Sequence, residues 1–296
     1  MKPLVFVLSA GRSGTRFVAD LFQKLCSDKV EAWHERLKTN ASTRKYFRRY
    51  APEDLDLQRS DPYIKDMLIS IKDTIKEKSY LDTGWNLHSL FPLFIEEFGS
   101  NVRFVLQIRH PFDAAASHAI KGAYRIDWDT LLDWDKNCFL KPEDNVFHKE
   151  VDWDSMTSFE KSLWRWGELL LYWEELKSRY PNIQWHVIKA EDLFKDIKNI
   201  YLYFKLLDVE LLPVVTLERY LKTARKNQLK TDWKLWYGLR QNEWKKYYNY
   251  PWILELAKSY GYNSDKDIIK DKFQKYKRPI ALQKRIIYKI QKILSK

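Results

Sequence analysis

Short apolar runs alternate along this chain with stretches in which apolar positions recur every three or four residues, the signature of strands interleaved with helices. Leu4–Leu8 reads as a buried strand, Arg16–Cys26 as the helix after it, and Asp28–Trp33 as a short second strand. A helical pattern runs through Tyr63–Lys78. Tyr80–Leu81 close a short run ahead of an Asp82-Thr83-Gly84 turn, and Leu87–Phe98 predicts another helix. Val102–Ile108 is a clear strand, with Pro111 where a helix would begin. Thr157-Ser158-Phe159-Glu160 has capping-box spacing, and Phe159, Leu163, Trp166, Leu170 and Trp173 then repeat at helical intervals up to Pro181. Ile183–Ile188 is the next strand, and a helix follows from Ile197 to Leu207. The alternation predicts a three-layer α/β fold with a central parallel sheet flanked by helices.

Composition narrows the setting. Of 296 residues, 45% are hydrophobic and 31% charged, the range of soluble globular proteins, and no stretch reaches the roughly 18–20 apolar residues a bilayer span needs. Met1-Lys2-Pro3 leads straight into the first apolar run with no separate leader pattern, and Cys26 and Cys138 are the only cysteines. A reducing, cytoplasmic setting with packed, neutral thiols is therefore expected. The net charge of +12, from 52 basic and 40 acidic residues, favours anionic ligands. The charge is uneven. Residues 124–156 carry nine acidic and four basic side chains, including Asp-Trp-Asp triplets starting at Asp127, Asp133 and Asp152. A basic–aromatic run, Arg44-Lys45-Tyr46-Phe47-Arg48-Arg49-Tyr50, reads as a solvated helix face. The last 26 residues carry nine Lys or Arg against one Asp, with an apolar stripe at Leu282, Ile286, Ile290 and Ile293. That stripe is expected to dock on protein, with peripheral contact to an anionic membrane surface as the alternative.

The first strand runs into Ser9-Ala10-Gly11-Arg12-Ser13-Gly14-Thr15-Arg16 and then the first helix. A glycine-containing loop at a helix start presents successive amides to one point, an anion cradle of the P-loop-like kind. A Walker lysine is missing, because Thr15 and Arg16 follow Gly14 and the basic residue, Arg12, comes early. A second strand–loop–helix lies at Val102–Lys121. Two cradles on one parallel sheet suit a nucleotide with phosphates at both ends.

The ordering Arg12-Ser13-Gly14-Thr15 resembles the 5′-phosphosulfate loop of sulfotransferases that use 3′-phosphoadenosine 5′-phosphosulfate (PAPS). Arg109-His110-Pro111, with Ser117 eight residues after Arg109, resembles their 3′-phosphate motif. Val187-Ile188-Lys189-Ala190-Glu191-Asp192-Leu193 resembles a late strand and turn of these enzymes, and Trp233, Leu239 and Gly261-Tyr262 their closing segment. The pattern is nearest to bacterial and carbohydrate-type members and covers residues 4–262 in pieces. It implies a sulfotransferase domain over 1–262, with 124–156 as an acceptor-site segment and 263–296 as a basic amphipathic extension. It implies PAPS contacts from Gly11, Arg12, Ser13, Gly14, Thr15, Arg16, Arg109 and Ser117, and weaker ones from Arg225 and Lys226, whose loop lacks the family's glycines. The product would be adenosine 3′,5′-bisphosphate. Arg12 would also balance charge on the leaving phosphate oxygen.

Transfer to a hydroxyl or amine needs a proton acceptor. The His of many cytosolic members is missing, since Asp82-Thr83-Gly84 stands in its region. Relatives that carry Glu in a His-Glu-Pro context resemble Trp33-His34-Glu35, although Arg36 replaces the proline. Glu35 is the first candidate base, His34 the second and Asp82 the third. Asp82, Trp85, Asp127 and Trp128 are candidate contacts to the acceptor, a small molecule or a saccharide. No metal is expected, because the six His and two Cys show no ligand spacing. Two other readings stay open: a P-loop kinase or nucleotide hydrolase working with Mg²⁺, and a non-enzymatic basic module for nucleic acid or membrane surfaces, nucleic acid being no partner in the preferred reading. The oligomeric state is not legible.

Overall fold

Strand β1 (Leu4–Leu8) is buried along its whole length, and its side chains alternate between two hydrophobic cores. Leu4, Phe6 and Leu8 join one, Val5 and Val7 the other. This is the period of a strand covered on both faces, as a parallel sheet between helices requires. A computed structural model describes residues 1–37, 55–124, 139–144, 146–224 and 238–278. Within them, β1, β2 (Val30–Trp33), β3 (Ser79–Asp82), β4 (Val102–Ile108) and β5 (Gln184–Lys189) form one sheet in the order β2-β3-β1-β4-β5. All its pairings are parallel, with Leu4 level with Tyr80 on one side and Val102 on the other. The result is a three-layer α/β fold with a central parallel sheet.

Helices α1 (Thr15–Leu25), α7 (Ala190–Lys195), α8 (Tyr201–Leu206) and α9 (Val214–Ala224) cover the Val5/Val7 face through Val18, Phe22, Leu193, Phe204 and Leu217. On the other face lie α3 (Pro62–Thr74), α4 (Phe91–Phe98), α5 (Pro111–Ile120) and α6 (Ser158–Arg179), with the short α2 (Leu55–Ser60) beside α3 and α4. The capping box opens α6 as expected: the Thr157 hydroxyl accepts from the Glu160 N–H, and the Glu160 carboxylate from the Thr157 N–H. Trp164, Trp166 and Trp173 of α6 are fully buried and fill the space between sheet and solvent. Helices α10 (Pro251–Ser259) and α11 (Lys266–Tyr276) add Ile253, Ala257, Ile269, Phe273 and Tyr276 to this same core. Residues 266–276, within the stretch expected to form an extension, thus contribute to this core.

Two expected helices are divided. Leu87–Phe98 is a 3₁₀ helix over Trp85–Leu90 and then α4. Pro92, with no N–H, cannot donate back to His88, so the second piece starts afresh with that proline in its first turn. Ile197–Leu207 is likewise a 3₁₀ turn, Ile197–Ile200, followed by α8. The Glu191-Asp192-Leu193 turn is itself helical, inside α7. No helix among the described residues is long and apolar enough to cross a membrane. Cys26 is buried and its thiol is pushed up to about 11, chiefly by burial, as suits a packed neutral group.

The topology sets the place of the site. From the carboxyl end of β1 the chain turns to α1 on one face, whereas from neighbouring β4 it turns to α5 on the other. A crevice opens where such crossovers diverge.

Candidate active site

Three residues with left-handed backbone turn the chain from β1 into α1: Gly11 (φ 84°), Arg12 (φ 59°) and Gly14 (φ 88°). The space allows nothing else at the glycines. A Cβ at Gly11 would lie 2.7 Å from His118 Nε2, and one at Gly14 2.5 Å from the Phe194 ring. The loop's carbonyls are held from behind. Arg165 Nη1 donates to Ala10 O at 2.9 Å, His118 Nε2 donates to the same oxygen at 2.7 Å, and Gln107 Nε2 to Ser13 O at 2.7 Å. The Tyr203 hydroxyl fixes the Gln107 amide in turn, and the Thr83 hydroxyl donates to Thr15 O at 3.1 Å. Ser9 Oγ accepts from the Gly11 N–H at 2.9 Å and pairs with the Ser13 hydroxyl. The N–H groups of Arg12, Ser13, Gly14 and Thr15 have no protein partner among the described residues. Carbonyls tied down and four successive amides left over make a cradle for an anion.

The second crossover meets the first. Ser117, buried on α5, accepts from Arg12 Nε at 3.1 Å, while Arg109 Nη1 donates to the Arg12 carbonyl and Nη2 to the Tyr276 hydroxyl, each at 3.0 Å. Among the described residues, both guanidiniums thus hydrogen-bond only neutral oxygens. The loss of water around Arg12 and the repulsion of Arg109 together hold its pKa below the ordinary guanidinium value. His118 is held well below the usual imidazole range by burial and by Arg165, Arg12 and Arg109, so it stays neutral and serves as a donor to the loop. Arg109 and Ser117 are therefore not a separate second cradle: with Arg12 they form one electropositive wall.

At the ends of β2 and β3 lies a second cluster. His34 Nδ1 is 3.3 Å from Thr83 Oγ1, and His34 Nε2 is 3.4 Å from Glu35 Oε1. Because the Thr83 hydroxyl gives its proton to backbone carbonyls, Nδ1 donates to it, and the Nε2 lone pair faces the Glu35 carboxyl. The two can hold one proton between them. Burial lowers the His34 pKa, Glu35 opposes that, and Arg16, exposed on α1, reinforces it. Glu35 has left-handed backbone (φ 61°) and is the more open of the two side chains. Arg36 follows the His34-Glu35 pair directly. It bonds Ser70 Oγ at 2.6 Å, the Tyr80 hydroxyl at 3.2 Å and Glu31 at 3.3 Å, its guanidinium over the Trp33 ring, and so clamps the end of β2.

Asp82 has no exposed surface: Oδ1 accepts from the Gly84 N–H at 2.8 Å. Burial pushes its carboxyl up to about 7. Arg36 and Glu35 lie within electrostatic reach of it, the first lowering and the second raising its pKa, each by less than burial does. Trp85 opens the 3₁₀ helix after that turn. Asp127, Trp128, Arg225 and Lys226, the first two Asp-Trp-Asp triplets, the run 44–50 and the stripe 282–293 lie outside the described residues. In the third triplet Asp152 and Asp154 are exposed, and Trp153 packs edge-on to Trp164 at 5.2 Å. No cluster of three or more metal-ligating side chains occurs among the described residues.

Sequence reasoning missed the residues that hold the cradle: Gln107, Tyr203, Thr83, Arg165 and Tyr276. His118 holds the Ala10 carbonyl together with Arg165.

The sequence matches no family model and no curated protein. Three solved structures are similar in fold. Mouse sulfotransferase SULT7A1 complexed with PAP is 12% identical, with a TM-score of 0.48 over 93% of this chain and 89% of that one. The sulfotransferase domain from the curacin biosynthetic pathway is 16% identical, with a TM-score of 0.43 over 72% and 76%. A sulfotransferase from Alicyclobacillus acidocaldarius is 14% identical, with a TM-score of 0.41 over 79% and 99%.

Proposed function

We propose that this protein is a sulfotransferase that moves a sulfuryl group from PAPS to a hydroxyl or amine of a small molecule or saccharide. One observation carries the reading: among the described residues, Arg12 and Arg109, from adjacent crossovers, hydrogen-bond only neutral oxygens, next to four loop amides without a described partner. Two adjacent cations that hydrogen-bond neutral oxygens beside a loop of outward amides favour an anionic ligand. The early arginine and the Arg109–Ser117 spacing favour PAPS over a nucleoside triphosphate. The residues fit such a group: the cradle suits a phosphosulfate, and the Arg109 fork with Ser117 a phosphate. When bound, PAPS supplies the sulfuryl group for in-line transfer. Arg12 bridges both parts of the site and balances charge on the oxygen that leaves. Glu35, oriented by His34, takes the proton of the acceptor. Acceptor contacts fall to Trp85, Asp127 and Trp128, and Arg225 and Lys226 add charge to the nucleotide site.

Titration calorimetry with adenosine 3′,5′-bisphosphate and with ATP–Mg²⁺ tests the donor. Binding of the bisphosphate alone, followed by label transfer from radiolabelled PAPS to members of an acceptor panel, is the expected result. Preference for ATP–Mg²⁺ would make the protein a kinase or hydrolase. Binding to nucleic acid or vesicles that survives Arg12→Ala and Arg109→Ala would make it a basic surface module.

A further inference from the structure

Arg109 lies four residues before Asp113, just ahead of α5, and Asp113, in the first turn of that helix, is buried. A carboxylate so close to a guanidinium would ordinarily capture it, and an arginine neutralised in that way is a poor anion ligand. Here another helix intervenes. Lys272 of α11 forms an ion pair with Asp113. The Tyr276 hydroxyl, one turn further along α11, accepts from Arg109 Nη2 at 3.0 Å and lies within electrostatic reach of the Asp113 carboxylate. The helix is firmly seated: Ile269, Phe273 and Tyr276 are buried, and its end is pinned where the Leu239 N–H donates to Tyr276 O at 2.9 Å and the Arg278 N–H to Leu239 O at 2.9 Å.

We infer that Lys272 and Tyr276 are positioning residues for Arg109: Lys272 occupies the Asp113 carboxylate, and the Tyr276 hydroxyl holds the guanidinium. Arg109 thereby keeps its charge for an incoming anion, while its fork is fixed at both Nη atoms, by Arg12 O and by Tyr276. The inference rests on the reading of Arg109 as a phosphate contact. It makes α11 part of the nucleotide site, although no residue of that helix need touch the nucleotide.

The logic of charge gives the test. Lys272→Met keeps the apolar stem but frees Asp113 to take Arg109. Affinity for adenosine 3′,5′-bisphosphate should fall about tenfold, as for the loss of one charge-assisted contact. Adding Asp113→Asn should restore it, which a merely structural role for Lys272 would not allow. Tyr276→Phe should weaken binding similarly, with an unchanged circular dichroism spectrum. A second readout needs no nucleotide: phenylglyoxal modification of Arg109, followed by mass spectrometry, should slow in Lys272→Met and recover in the double variant. Wild-type affinity in Lys272→Met, or no rescue by Asp113→Asn, would overturn the inference. Should the wild-type chain bind no bisphosphate, the donor assignment fails by itself. The modification rates would then decide alone, and equal rates in wild type and Lys272→Met would refute the relay.

Discussion

Gly14→Ala puts the construction of the cradle to a quantitative test. Gly14 sits at φ 88°, and alanine held in left-handed backbone costs about 1–2 kcal/mol. The new methyl would also lie 2.5 Å from Phe194 Cζ and 2.6 Å from Cε2. That ring packs against Phe17, with centroids 5.1 Å apart, so moving aside gives up this contact. Overpacking of this kind costs about 1–3 kcal/mol, so the substitution should destabilise the fold by about 2–5 kcal/mol. Urea unfolding, read as a shift in midpoint at constant slope, measures it. The two causes separate in a double-mutant cycle. Phe194→Ala removes the clash but leaves the backbone strain, so the double variant should be about 1–3 kcal/mol more stable than the sum of the single losses predicts. Bisphosphate affinity of the folded Gly14→Ala protein should fall as well, since the displaced loop carries the four free amides. A loss under about 1 kcal/mol, or strict additivity in the cycle, would show that the loop does not need the conformation described for it.

Arg109→Ala should weaken bisphosphate binding by about 2–3 kcal/mol, roughly a 30- to 150-fold rise in Kd by calorimetry, and unchanged affinity would remove this residue from the site. Glu35→Gln should leave that affinity intact and reduce turnover by about 10²–10⁴-fold in a radiolabelled PAPS assay; a variant that stays active passes the role of base to His34. Asp82 should make stability pH-dependent. Its carboxyl, raised from 3.8 to about 7 in the folded chain, keeps its proton where the unfolded chain has lost it, so its contribution is complete below the unfolded value and is lost as the pH rises through 7. Asp82→Asn, compared with wild type by urea midpoints between about pH 4 and pH 7, should therefore gain relative stability with rising pH, and a flat difference would contradict the burial argument.

The layers of the fold were legible because burial on both faces leaves uninterrupted apolar runs such as Leu4–Leu8 and Val102–Ile108, and because Phe159 to Trp173 repeat at helical spacing. Boundaries were less legible where one residue outweighs the pattern, as Pro92 does between two helical pieces that share a single apolar periodicity. The candidate residues were visible as local strings around Arg12, Glu35 and Arg109. What holds them in place was not. Gln107 and Ser13 stand 94 residues apart, Arg165 and Ala10 155, and Arg109 and Tyr276 167. Nothing local marks a glutamine as the anchor of a distant carbonyl, and a tyrosine in a lysine-rich helix looks like any other amphipathic position. Backbone strain is hidden in the same way. Gly11 and Gly14 announce left-handed turns, but Arg12 and Glu35 adopt that backbone with full side chains, at positions where glycine would sit more easily. Strain of about 1–2 kcal/mol at each persists only where surrounding structure enforces it. Both residues follow the carboxyl ends of strands, β1 and β2, and each carries the side chain its corner needs for chemistry: a cation beside the cradle, a carboxylate beside His34. Relieving either strain with glycine would remove the functional group itself. In the proposed reading, that is why Arg12 and Glu35 carry strain their neighbours do not.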